Sequence, residues 1–145
     1  MNKILIQTVA IPRAGKSSWA KSTGLPICSP DAIRNIIHGT PFRQEAESLV
    51  WATARLMVES LFEAGHNVVI LDATNTLARR RNEWRSPKWN LRFKCFDTPK
   101  EVCIERALAN GQNYLVPVIE RMAKQLEWPD KNILTLEEER VLYEQ

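Results

Sequence analysis

The strongest constraint on this chain is the apolar run Ile4–Val9, followed at once by Ala10-Ile11-Pro12-Arg13-Ala14-Gly15-Lys16-Ser17. A short buried strand, a glycine-containing turn and a Lys-Ser pair opening a helix form the pattern of a loop that wraps phosphate. Backbone N–H groups of such a loop point inward, and the helix behind them adds partial positive charge. Gly15 lets the backbone approach a phosphate closely. Lys16 is placed to reach the β- and γ-phosphates, and the Ser17 hydroxyl is placed for Mg²⁺. Arg13, Ala14, Gly15, Lys16, Ser17 and Ser18 are therefore the nucleotide-binding candidates, with ATP and Mg²⁺ as the expected ligands. Alanine holds the first glycine position of the pattern. Ala10 is harmless there if its φ is negative and strained if the loop requires a positive one.

Beyond the loop, strands and helices alternate. A helix from about Lys16 is expected to end at Gly24, with Pro26–Cys28 a short strand behind it. Ser29 reads as an N-cap with Pro30 in the first helical position. Arg43–Ala64 spaces Ala46, Leu49, Val50, Met57, Leu61 and Ala64 by threes and fours before Gly65, an amphipathic helix with a glycine stop. Val68–Leu71 is apolar throughout, as a strand covered on both faces should be. A polar, arginine-rich helix follows, then a strand over Leu91–Phe96. Thr98 and Glu101 have capping-box spacing around Pro99. Gly111–Val116 reads as a loop, Pro117 as the start of a helix ending by Trp128-Pro129, and Ile133–Leu136 as a last edge strand. This alternation predicts an α/β fold, a P-loop NTPase-type three-layer sandwich with a parallel sheet and helices on both faces. Ligands of such sheets bind at the carboxyl ends of the strands.

The 145 residues match the length of one domain, 1–145, and no apolar run approaches the length of a bilayer span. Because the N-terminal apolar stretch runs into the phosphate loop, cleavage there would remove the site, so a cytoplasmic protein is expected. Cys28, Cys95 and Cys103 have no metal-ligand spacing and read as small buried hydrophobes. Arg79, Arg80, Arg81, Arg85, Lys88, Arg92 and Lys94 face a single acid, Glu83, in the intervening sequence. Such a stretch suits either an anionic partner such as nucleic acid or a solvated helix face. The C-terminal end is acidic, with Glu137, Glu138, Glu139 and Glu144.

Several further residues fall where strands end. Asp31 and Arg34 share a helix face; Asp31 suits either a site or a helix dipole. Asp72 follows a buried strand, where an acid can hold a magnesium water shell or organise the site. Thr74 and Asn75 either contact substrate or shape the turn. Arg106 is either a lid arginine over the transferring phosphate or a cation completing a helix C-terminus. Trp84 and Trp89 lie inside the basic stretch and read as packing, with a base contact the alternative.

Taken in order, IPRAGKSSWAK, SPDAIR, ILDATNTLARRRNEWR, FDTPKEVCIERAL and VPVIERMAKQLEWP resemble the small P-loop kinases related to the kinase domain of bacteriophage polynucleotide kinase. The resemblance runs from Lys3 to about Pro129. It implies transfer of the ATP γ-phosphate to a nucleic-acid 5′-hydroxyl. Asp31 falls on the family's general base, and Arg34 on an arginine contacting the acceptor. Asp72, Thr74 and Asn75 fall in the segment bordering the acceptor pocket, and Arg106 on the first of two lid arginines. Lys16, Asp31, Arg34 and Arg106 are thus the implied catalytic set, with Ser17 and Asp72 at the metal. Two departures stand out. Ala73 occupies the position where the phage enzyme has its acid, and Asn110 stands where the second lid arginine is expected.

Overall fold

The computed structural model describes residues 2–39 and 43–143. Four parallel strands, β1 (Ile4–Val9), β2 (Ile27–Cys28), β3 (Val68–Leu71) and β4 (Asn90–Cys95), form one sheet in the order β2-β3-β1-β4. Parallel strands require crossovers, and the helices that make them are α1 (Lys16–Thr23), α2 (Pro30–His38), α3 (Glu47–Glu63) and α4 (Ala78–Asn82). After β4 come α5 (Lys100–Ala109), α6 (Leu115–Gln125) and α7 (Leu136–Tyr143).

Alternation along the strands sends neighbouring side chains to opposite faces. Leu5, Val69 and Leu71 pack beneath α2 and α3 with Val50, Ala54, Val58 and Phe62. Ile6, Val68 and Ile70 pack on the other side with Ala20 of α1 and Leu142 of α7. A third cluster joins Ala10, Ile11 and Ala14 of the loop to Cys103 and Ala107 of α5 and Ile119 of α6. Burial on both faces explains why β3 is apolar throughout. The three-layer α/β expectation holds. Among the described residues no helix is long and apolar enough to cross a membrane.

Local signals decide where the helices begin. The Ser29 hydroxyl accepts from the Ala32 N–H at 3.2 Å, and Pro30 opens α2 as expected. The capping box at Thr98 does not form. Its hydroxyl instead donates to the Ala14 carbonyl at 3.0 Å, and α5 starts at Lys100 without a side-chain cap. The expected strand Ile133–Leu136 is reduced to a single parallel bridge between Phe93 and Ile133. Helix α7 takes over because Thr135 and Glu138 form a reciprocal capping box: Glu138 N–H donates to Thr135 Oγ1 at 3.2 Å, and Thr135 N–H to Glu138 Oε1 at 3.4 Å. Helix α6 starts at Leu115, two residues before Pro117, which the first turn tolerates because its N–H groups lack intrahelical acceptors. It ends at Gln125, ahead of Trp128-Pro129.

Candidate active site

All four strands point their carboxyl ends to one edge of the sheet, and a cleft of about 1480 Å³ opens there. That exceeds the roughly 300–1,000 Å³ of an ordinary small-molecule pocket, so there is room for two reactants. The loop after β1 forms its floor. Gly15 caps α1 with φ 104°, a conformation that glycine alone adopts freely. Ala10 is fully buried and absent from the left-handed region, which removes the question of strain at that position. The unusual residue is Arg13, with φ 68°.

Lys16, Ser17, Asp31, Arg34, Asp72, Thr74, Asn75 and Arg106 all line this one cleft, as do Arg13, Gly15 and Ser18. Ala14 sits instead in the apolar core beside α5 and α6, where its carbonyl accepts from the Thr98 hydroxyl. Burial pushes the Lys16 ammonium below its ordinary value; Asp72 and Asp31 oppose that and Arg13 adds to it. Lys16 thus sits within electrostatic reach of both acids. Asp72 is buried at the end of β3, its N–H donating to the Cys28 carbonyl at 2.9 Å. Its Oδ2 accepts from Ser17 Oγ at 2.8 Å. A hydroxyl and a carboxylate converging beside a phosphate loop suit Mg²⁺, which takes one or two protein oxygens and completes its shell with water and phosphate. Among the described residues no group of three or more His, Cys, Asp or Glu is placed to hold a metal, and that phosphate-dependent mode of binding needs none.

Asp31 and Arg34 reach the same cleft from α2. Arg34 Nη1 donates to Asp31 Oδ1 at 2.6 Å, while the Asp31 side chain is 81% exposed. Sequence reasoning missed the residue that holds Arg34 in place. Glu47, at the start of α3, accepts from Arg34 Nε at 2.9 Å and from Nη2 at 2.8 Å. The Arg34 guanidinium lies 5.9 Å from the centre of the Trp51 ring. The bond from Arg34 holds the Glu47 carboxyl below its ordinary value. No motif marks Glu47; only the packing of α2 on α3 brings it to Arg34.

Asn75 shapes the turn. It is buried with φ 45°, and its Nδ2 donates to the Thr8 carbonyl at 2.9 Å. The Thr74 carbonyl accepts from Ala10 N–H at 3.0 Å, tying this segment to the phosphate loop. Arg106, in the last turn of α5, donates from Nη1 to the Arg13 carbonyl at 3.0 Å, so it braces the loop from above. Asn110 donates to the Arg106 carbonyl at 2.8 Å and serves the helix end.

The basic stretch does not form one face. Arg81 is buried and donates to the Asn75 carbonyl at 2.7 Å. Arg92 pairs with Glu138, Lys94 with Glu139 at 2.9 Å, and Lys88 with Glu59 at 3.8 Å. The acidic C-terminal helix thus takes up the cations of β4; Glu144 lies outside the described residues. Arg80 is exposed and borders the cleft. Trp84 and Trp89 are both 5% exposed and Trp89 stacks on Phe62, so both pack in the core, while Trp84 also borders the cleft.

A family model described as an AAA domain matches residues 5–129. No curated protein matches the chain. A protein in the structure of the Pnkp1/Rnl/Hen1 RNA repair complex superposes with a TM-score of 0.67 at 19% identity, over 87% of this chain and 47% of that one. The present chain therefore spans about half the length of that relative. A gluconokinase from Sinorhizobium meliloti 1021 gives a TM-score of 0.60 at 20% identity, over 91% of this chain and 79% of its own. The Mycobacterium tuberculosis APS kinase CysC, in complex with AMPPNP and APS, gives 0.64 at 17%, over 99% and 95%. At these identities the likeness speaks for the fold, and that fold is the one these kinases share.

Proposed function

This chain belongs to the AAA domain family and has a P-loop kinase fold, and from that premise we propose that it is an ATP-dependent phosphotransferase acting on nucleic-acid 5′-hydroxyl ends. The observation that carries the reading is the meeting of two kinds of residue in one cleft. Lys16, Ser17 and Asp72 gather at the phosphate loop, while Asp31, held to Arg34, lines the same cleft from α2.

The chemistry follows from that arrangement. Phosphoryl transfer depends on in-line positioning and charge neutralisation more than on covalent help. The loop N–H groups, Lys16 and Arg106 serve the phosphates. Ser17 and Asp72 would hold Mg²⁺, which when bound neutralises phosphate charge. Asp31 accepts the proton of the attacking hydroxyl as the new O–P bond forms. The bond from the γ-phosphorus to the β–γ bridging oxygen breaks, and ADP leaves. Arg34 holds the acceptor, its own orientation set by Glu47.

A second reading keeps the chemistry but makes the acceptor a small hydroxyl compound. What favours it is the ion pairing of Arg92 and Lys94 with the C-terminal helix, which leaves less free positive charge for a polyanion. Incubation with γ-labelled ATP, Mg²⁺ and matched oligonucleotides separates the two. The nucleic-acid reading expects label on 5′-hydroxyl oligonucleotides, none on 5′-phosphorylated ones, and a KM that rises steeply with salt. Label appearing only on small hydroxyl acceptors, with a salt-insensitive KM, would replace it.

A further inference from the structure

Arg13 occupies the loop in a way that nothing in the fold requires. Among the described non-glycine residues only Arg13, Asn75 and Asn132 have φ in the left-handed region. Asparagine tolerates that region; a long side chain with an ordinary Cβ is strained there. Glycine would sit at this position without strain.

Part of the side chain lacks a partner in the protein. Arg13 Nε is buried and has no hydrogen-bond partner. Arg34, Arg55 and Arg92 each reach a carboxylate, but among the described residues none lies within ion-pair distance of Arg13. Its neighbours are cations instead. The Arg13 charge acts on Lys16, and Arg106 donates to the Arg13 backbone carbonyl. Arg13 lines the same cleft as both. A buried donor without an acceptor is costly, and a guanidinium with no carboxylate at ion-pair distance, on a cleft that holds Lys16 and Arg106, suits an anionic ligand.

We propose that the Arg13 guanidinium is a phosphate-contacting group that binds oxygens of the ATP triphosphate alongside the loop N–H groups. A guanidinium offers a planar fork matched to phosphate. The strained backbone keeps that fork at the cleft, and the Arg106 bond fixes the carbonyl behind it. The inference rests on the reading that Ala10–Ser17 binds ATP, yet it asks nothing about the acceptor.

The test compares Arg13→Gly and Arg13→Lys with the wild type by calorimetric titration of Mg²⁺·ATP at two salt concentrations, together with the Tm of the nucleotide-free proteins. Arg13→Gly is expected to bind ATP about ten- to a hundred-fold more weakly and to lose part of the salt dependence. Its nucleotide-free Tm should equal or exceed that of the wild type, because glycine relieves the left-handed φ. Arg13→Lys should recover part of the affinity. Undiminished ATP affinity in Arg13→Gly would overturn the proposal. A lowered Tm, with affinity no better in Arg13→Lys, would make the residue structural and overturn it too. Absence of ATP binding by the wild type would instead remove the reading of the loop itself.

Discussion

Replacing Glu47 by glutamine keeps its shape and removes its charge, and the structure gives the cost. Two charge-assisted bonds join Glu47 to Arg34, at 2.9 and 2.8 Å, with the side chains 16% and 14% exposed. Stripping one partner from a fully buried pair costs about 3–5 kcal/mol. Residual exposure and the remaining bond from Arg34 to Asp31 reduce that to about 2 kcal/mol, a Tm loss of about 6 °C for a chain of this size. Because Arg34 holds the Glu47 carboxyl below its ordinary value, the gap between wild type and variant should be fully present above the unfolded carboxylate pKa of about 4.3. It should close as pH falls through the depressed folded value. Denaturant melts of both proteins from pH 7 to pH 3 measure this, and a double-mutant cycle with Arg34→Gln isolates the pair. Activity should fall about ten-fold through misplacement of Arg34, with ATP affinity preserved. A stability loss under about 0.5 kcal/mol, or a gap that stays constant with pH, would mean that Glu47 does not hold Arg34 by its charge.

Three further outcomes are expected. Asn75→Ala should lose about 2–3 kcal/mol, since it gives up a buried bond to Thr8 and forces alanine into a left-handed φ; Asn75→Gly should lose less, and chemical denaturation compares them. Burial pushes the Cys28 thiol up to about 12, so at pH 8 it should resist a thiol reagent in the native protein and react fully on unfolding. Asp72→Asn should raise the Mg²⁺ concentration needed for half-maximal ATP binding by about ten-fold, read by titration at fixed nucleotide.

What the sequence revealed and what it hid divide along a physical line. The phosphate loop, the Ser29 cap and the β3 run are local patterns, and each appears where its residues placed it. Helix α7 was also legible, because Thr135 and Glu138 have capping-box spacing, but the apolar start at Ile133 invited a strand reading. Thr98 shows the reverse: the spacing was present, yet a carbonyl of the phosphate loop competed successfully for its hydroxyl. Glu47 was invisible because its contact with Arg34 spans two helices. The basic stretch stayed open between two readings because charge along a chain says nothing about which side chains meet an acid; Glu138 and Glu139 lie more than forty residues from Arg92 and Lys94. Arg13 carried a signal that only a backbone angle exposes.

The central claim is that Asp31 takes the acceptor proton while the loop holds ATP independently of it. Single-turnover transfer from γ-labelled ATP by Asp31→Asn, with ATP affinity measured on the same preparation, tests it most directly. The transfer rate should lie at least about a hundred-fold below wild type, with ATP affinity unchanged. Wild-type transfer in that variant would contradict it.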